Sequence, residues 1–433
     1  MKSWQVFLGF LAVAGVAPAQ EVQVFRGATV HPVAGPVVPN ATLVVQGGKV
    51  VALGPAESTV IPAGAVVHEL AGRVIIPGLV DTHTHLSGAG GADASTALDP
   101  TVRQLDGVDV RSPQFVKALS GGITTVNQMS GSGHLMSGQT IYLKLRRTGT
   151  RVEDWLLCAD PAKDVCGGMK MANGTNSIGT SPFPGTRSKS AAMARELFVK
   201  AQEYQKKIKA AGKDTSKLPD RDLGLEALVE ILEGRRIVHF HSHRHDDILT
   251  ALRLAKEFGF TPVIHHGSES YRVAAELAAA GAPVSLTVVD SPGGKEEALL
   301  VRWEAGKLLR EAGVAVAVNT DDWITDSRLL LRSAALTVRA GLDPAEALLA
   351  VTLAPARMLG LGDRVGSLEP GKDADFVVLS GDPFAVRTQI LATWVEGKKV
   401  FDRDEPEDRL VAEGGYGAFE GIGEVHLDGE TER

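Results

Sequence analysis

Cysteine is almost missing from these 433 residues: there are two, Cys158 and Cys166, in one irregular segment. So few thiols argue against a Cys-based zinc site. Whether the two pair stays open, because a bridge needs a geometry that sequence does not carry. A cationic surplus is missing too. Lys and Arg number 45 against 52 Asp and Glu, a net charge of −7, and no basic run stands out. Little is therefore present to neutralise a phosphate backbone, and no nucleic-acid partner is expected. No internal repeat is visible. Long apolar runs are absent with one exception, Val6 to Val16, which is too short to span a bilayer comfortably. Lys2 precedes it and Ala17-Pro18-Ala19 follows it. That order predicts a signal peptide over residues 1–19, with the mature chain starting near Gln20. The expected location is periplasmic or secreted, an oxidising space where a disulfide is permitted, with no membrane insertion after cleavage.

What is present is an ordinary globular composition, 44% hydrophobic and 22% charged, with 48 glycines for many short turns. The length suits one large domain and a smaller one. Val22 to Phe25, Ala41 to Val45, Lys49 to Leu53 and Val66 to Ile76 read as strands, with a hairpin signal at Gln46-Gly47-Gly48. Beyond Gly78, strands alternate with helices. Ile123 to Gln128, Ile237 to Phe240, Thr261 to His265, Pro283 to Val289 and Val314 to Val318 are predicted strands. Ser190 to Ala211, Ile248 to Phe258, Tyr271 to Ala280 and Glu296 to Glu311 are predicted helices. Such alternation implies a parallel sheet with covering helices, and residues 78–362 are enough for a (β/α)₈ TIM barrel. Asp343-Pro344-Ala345-Glu346 marks a helix start. Asp375 to Leu379 and Ile390 to Val395 are strands again, so residues 20–77 and 363–403 are expected to form one small β-sandwich domain. The acidic, Gly-rich tail 404–433 is expected to be poorly ordered.

Four places collect metal-binding side chains, each after a predicted strand. His83 and His85, at i and i+2, share a face. His239, His241, His243 and His245 also alternate, and the nearer ones are favoured as ligands if the strand runs from Ile237. A solvated His tract that binds stray metal is the plainer alternative. In His265-His266 the alternation admits only one ring inward, and the residues do not say which. Asp321 and Asp322 follow the last apolar strand, one suited to a ligand or general base and the other to a helix cap. Together they put imidazoles and a carboxylate at the C-terminal ends of different strands, the catalytic face of a barrel and a donor set for zinc or a similar ion.

Two long motifs then carry a resemblance over nearly the whole mature chain. Val74-Ile75-Ile76-Pro77-Gly78-Leu79-Val80-Asp81-Thr82-His83-Thr84-His85 and Gly366-Ser367-Leu368-Glu369-Pro370-Gly371-Lys372-Asp373-Ala374-Asp375 resemble the first strand and the closing segment of the amidohydrolase superfamily, in particular its imidazolonepropionase-like and Xaa-Pro-dipeptidase-like members. The resemblance implies metal ligands at His83, His85, His241 and His266, and at Asp321, which also shuttles protons. Lys170 sits where binuclear relatives keep a carboxylated, metal-bridging lysine. Two departures stand out. Gly174-Thr175-Asn176-Ser177 replaces a usual Gly-Glu-Asn-Pro, and His265 stands where an acidic residue is common.

The implied reaction is cleavage of an amide C–N bond in a small substrate, such as a dipeptide, an N-acyl amino acid or a cyclic amide, by hydroxide on one or two divalent ions, zinc foremost. Arg244, His243 and His265 are the candidate substrate-binding residues, with Arg244 gripping a carboxylate. Arg187 is read as a solvent-facing arginine of a loop. A deaminase or lactonase on the same scaffold is the alternative within enzymes. A non-catalytic envelope metal-binding protein is the alternative outside them. Homo-oligomerisation is compatible with all three.

Overall fold

The computed structural model describes residues 21–88, 92–288, 295–322 and 324–415. The expected signal peptide lies outside these residues. Five strands open the described chain: β1 Val22–Val30, β2 Val38–Gln46, β3 Lys49–Pro55, β4 Val66–Glu69 and β5 Val74–Pro77. The single strand expected over Val66 to Ile76 is thus two, separated by a turn. Both halves lie along β1, β4 against Gln23 to Arg26 and β5 against Thr29 and Val30.

Next come β6 Leu79–Thr84, β7 Ile123–Gln128, β8 Met136–Gln139, β9 Ile141–Lys144, β10 Met169–Ala172, β11 Val238–Ser242, β12 Pro262–His266, β13 Val284–Thr287 and β14 Val316–Asn319. The chain then returns through β15 Phe376–Leu379, β16 Ile390–Val395 and β17 Lys398–Asp402. These last strands join the first ones in one eight-stranded sheet, ordered β17-β16-β15-β5-β1-β2-β3 with β4 beside β1. The two chain ends therefore join in one sheet, through the antiparallel pair β15–β5. Phe25, Phe376 and Trp394 pack within 4.7 to 5.5 Å of one another in its core.

The central strands form a six-stranded sheet, β14-β13-β12-β11-β10-β8, and a three-stranded one, β6-β7-β9. From β10 to β14 neighbours are parallel, as the alternation with helices predicts. The two sheets do not close into one continuous ladder. They meet where Asp321 N–H donates to the His83 carbonyl at 3.0 Å and where Thr84 bridges Asp322. Each strand from β6 to β14, apart from half-buried Gln139, is buried throughout. Strands enclosed on both faces carry near-continuous apolar runs, which is why Leu79-Val80 and Val316-Ala317-Val318 read as strands so plainly.

Helices Arg187–Ala211, Leu223–Leu232, His245–Phe258, Ala274–Ala280, Ala305–Glu311 and Leu330–Arg339 lie between or after these strands. His245–Phe258 buries Ile248, Ala251, Leu254, Ala255 and Phe258, the helical spacing of an amphipathic stripe. Asp343 caps the helix Pro344–Leu349 through Ala345 N–H at 2.8 Å. The helix expected from Glu296 begins only at Ala305. Before it, Glu296–Ala298 forms a short 3-10 turn, and the Glu297 carboxylate is held by Thr175 and Arg187. Residues 416–433 of the tail lie outside the described residues, and in its described part Pro406–Glu413 is a helix. Its Asp408 accepts from Asp402 N–H at 2.9 Å and pairs with Arg147 at 2.8 Å.

Candidate metal centre

The site forms at the C-terminal ends of β6, β10, β11, β12 and β14. His83 and His85 leave β6 on one face, and Asp321 follows β14. Their ligand atoms lie within 4.8 Å of one another. His85 Nε2 is 3.1 Å from Asp321 Oδ1, and His83 Nε2 is 3.4 Å from the same oxygen. The backbone helps: Asp321 adopts φ 47, a left-handed conformation that costs a non-glycine residue about 1–3 kcal/mol. Beneath it, the buried Asp81 carboxylate accepts from His83 N–H at 3.1 Å and from Thr320 Oγ1 at 2.5 Å. Asp81 thus ties the two strands that carry the cluster, and burial pushes its carboxyl up to about 7.

His266 lies on the other side of Asp321, its Nδ1 3.4 Å from Oδ2. Its φ of 67 breaks the alternation of β12. Both rings of the His265-His266 pair therefore turn inward, each within 4.8 Å of the His83 ring, where strand geometry alone admits one. His241 stacks near His266 at 4.2 Å and near His243 at 4.6 Å. Both ring nitrogens of His241, and Nε2 of His243 and of His266, are buried without a hydrogen-bond partner. Buried polar atoms normally find partners, so this cluster of lone pairs fits a cation.

Lys170, fully buried on β10, sits within reach of the same point. Its Nζ contacts His83 Nε2 at 2.9 Å and Met129 Sδ at 3.1 Å. Burial, only partly offset by the charge of Asp321, pushes its ammonium down to about 7. Burial works against the Asp321 carboxylate as well, but His266, His85 and Lys170 outweigh it and hold the carboxyl below the usual range. Burial also lowers the imidazoles, His266 and His239 to about 3, so they are neutral bases at physiological pH.

Below the cluster, a row of enclosed polar groups continues away from it. His265 Nδ1 is 3.1 Å from His83 Nδ1, His265 Nε2 is 2.9 Å from His239 Nδ1, and His239 Nε2 is 3.0 Å from the Tyr142 hydroxyl. His265 has no exposed surface. It therefore cannot touch substrate as expected, and acts instead on His83. His239 is inward-facing, as the alternating tract implies, yet it lies beneath the ligands and not among them. His245 turns away to Glu269 at 2.6 Å.

The Arg244 guanidinium pairs along its Nε–Nη2 edge with Asp246, at 3.0 and 2.9 Å, in an exposed ion pair. Arg187 is not solvent-facing: it bridges Asp247, at 3.0 Å, and Glu297. His243 Nδ1 bonds Ser268 Oγ at 2.8 Å, leaving Nε2 toward the cluster. Asp322 serves the fold, pairing with Lys117 at 2.9 Å and accepting Ser327 N–H at 2.9 Å. Lys295, absent from the sequence reading, donates to Asn176 Oδ1 at 2.7 Å, in the same loop whose sequence departs from the resembled pattern. It lies outside the patterned strands, so periodicity offered no signal for it. Cys158 and Cys166 form a disulfide.

The chain is similar to known proteins. A sequence profile of the Amidohydrolase family matches residues 112–401. A crystal structure of an amidohydrolase from Thermotoga maritima MSB8 is 34% identical, with 88% of this chain and 100% of that one covered and a TM-score of 0.80. Amidohydrolase tasK of Hapsidospora irregularis is 30% identical over 76% of this chain, although the match spans only 36% of that longer protein. Imidazolonepropionase of Symbiobacterium thermophilum is 28% identical over 79% of this chain and 84% of its own length.

Proposed function

We propose, for a chain that belongs to the amidohydrolase family of hydrolases acting on carbon–nitrogen bonds, that it uses one or two divalent ions, zinc first among them, to cut an amide bond of a small substrate. The observation that carries this reading is the convergence of His83, His85 and Asp321 beside the unpartnered nitrogens of His241 and His266. Imidazole and carboxylate donors without thiolate suit zinc. When bound, such an ion supplies Lewis acidity to the scissile carbonyl and to water. His83, His85 and Asp321 would hold one ion. His241 and His266 would hold a second, with Lys170 joining both if it is carboxylated. Asp321, kept ionised by its neighbours, accepts the proton of the attacking water and delivers it to the leaving nitrogen.

Similarity to an imidazolonepropionase favours a cyclic amide among these substrates. A metal scavenger would need neither a buried Lys170 nor the strained backbone of Asp321. The disulfide supports an exported location, since such bonds persist in oxidising compartments. The test is metal analysis of zinc-loaded protein, followed by a screen of cyclic amides, dipeptides and N-acyl amino acids. One or two equivalents, with hydrolysis lost on chelation and restored by zinc, is the expected result. Less than about half an equivalent after loading would overturn the reading, because three protein ligands bind zinc tightly.

A further inference from the structure

The row of groups below the cluster has a directional logic. A neutral imidazole has one N–H and one lone pair, so a hydrogen bond at one ring nitrogen dictates the state of the other. The contact of His83 Nδ1 with His265 Nδ1, at 3.1 Å, requires one of the two to donate. If His83 donates, His265 Nδ1 accepts and its Nε2 carries the hydrogen toward His239 Nδ1. His239 Nε2–H then donates to the Tyr142 oxygen. If the row runs the other way, Tyr142 donates to His239, His239 to His265 and His265 to His83. The hydrogen of His83 is then forced onto Nε2, the atom facing His85 and Asp321. Either direction gives each contact along the row one donor and one acceptor, but only the first leaves a lone pair on His83 Nε2.

We propose that Tyr142, His239 and His265 are positioning residues that fix the Nδ1–H form of His83 and so present its Nε2 lone pair to a metal ion. The inference rests on the metal-hydrolase reading above. The surroundings are built for the row. All three imidazoles have no exposed surface, so water does not compete for their nitrogens. At Gly168 an added Cβ would stand 2.2 Å from His239 Cδ2, so the absence of a side chain there makes room for the middle ring. The backbone of Tyr142 is held between Leu157, at 3.3 Å, and Cys166, at 2.9 Å, and the disulfide joins the chain on its two sides. The far end of the row is thereby anchored.

Two variants of similar size separate the proposal from simple packing. In His265→Asn the amide oxygen stands near the Nδ1 position and still accepts from His83. In His265→Gln the amide reaches the Nε2 position and leaves His83 Nδ1–H without a partner. Zinc affinity is measured by chelator competition, with thermal unfolding of both variants recorded alongside. The Gln variant should bind zinc about 10- to 100-fold more weakly, the usual effect of losing such an outer partner, while the Asn variant stays close to the parent protein. Equal affinities in the two variants, or a weaker Asn variant, would overturn the relay while the parent still binds zinc. A parent protein that takes up no divalent ion would instead overturn the reading beneath it.

Discussion

Asp321 and His266 share a property that composition hides. Both adopt positive φ, 47 and 67, in a region where Asn and Asp are the side chains best tolerated. That conformation turns the Asp321 carboxylate toward His83, His85 and His266 together. It also aims His266 inward from a strand position that would otherwise face outward. Asp321→Asn keeps a residue at ease in this backbone and removes only the base. Turnover should fall by roughly 10²-fold or more, the scale of a positioned acid–base group, while zinc affinity falls less. Steady-state kinetics and zinc titration of the same preparation check both, and parent-like turnover would move the proton acceptor elsewhere.

Among the elements, β10 decides most and announces itself least. It is four residues long, Met169–Ala172, and follows two glycines. Such a segment has neither the length nor the β-branched content that marks a strand. Its place is set by close approach: a Cβ at Gly168 would meet the Ile237 carbonyl at 2.6 Å as well as His239. Backbone atoms cannot move aside without disturbing the pair β10–β11, in which Lys170 lies beside His239. Gly168→Ala should therefore cost about 2 kcal/mol or more, in the range of overpacked cores, and should weaken zinc binding by displacing Lys170 and His239. Urea unfolding and zinc titration measure the two effects. A variant as stable as the parent would show that this approach is looser than the structure makes it.

Across the whole molecule, the strands of the two chain ends are locked to the central strands by charge as well as by apolar contact. Lys144, without exposed surface on β9, contacts Asp373, lies 2.7 Å from Asp375 and 3.7 Å from Glu396. Lys49 and Arg364 also pair with Asp373, at 2.5 and 2.7 Å. The closing motif thus works as an inter-sheet clamp. Burial would raise the Asp373 carboxyl, but Lys144, Lys49 and Arg364 hold it down to about 2. A depressed carboxyl stabilises the fold fully above its unfolded value, near 4, and loses that contribution as pH falls through 2. Stability of the parent should therefore drop more steeply from pH 4 to pH 2 than that of Asp373→Asn. Urea midpoints across that interval test this, and parallel curves would remove Asp373 from the acid response.

Much of the candidate site was legible in the chain because its ligands sit at the ends of long apolar strands. His83, His85 and Asp321 follow Leu79-Val80 and Val316-Ala317-Val318, and His241 lies in an alternating His tract after Val238, from which the resemblance chose it. The resemblance supplied Lys170 and chose His266 over His265, which alternation left undecided. Local pattern stops where neighbours in space take over. It could not tell that a positive φ brings His266 in beside His265. It could not tell that Asp246 pairs with Arg244, that Glu297 is held by Thr175 and Arg187, or that the end strands join in one sheet. Each of these depends on a partner distant along the chain or on one backbone torsion. Period and composition report which face a residue prefers. Which group it meets there follows only once the strands are assembled and every buried donor and acceptor must find its counterpart.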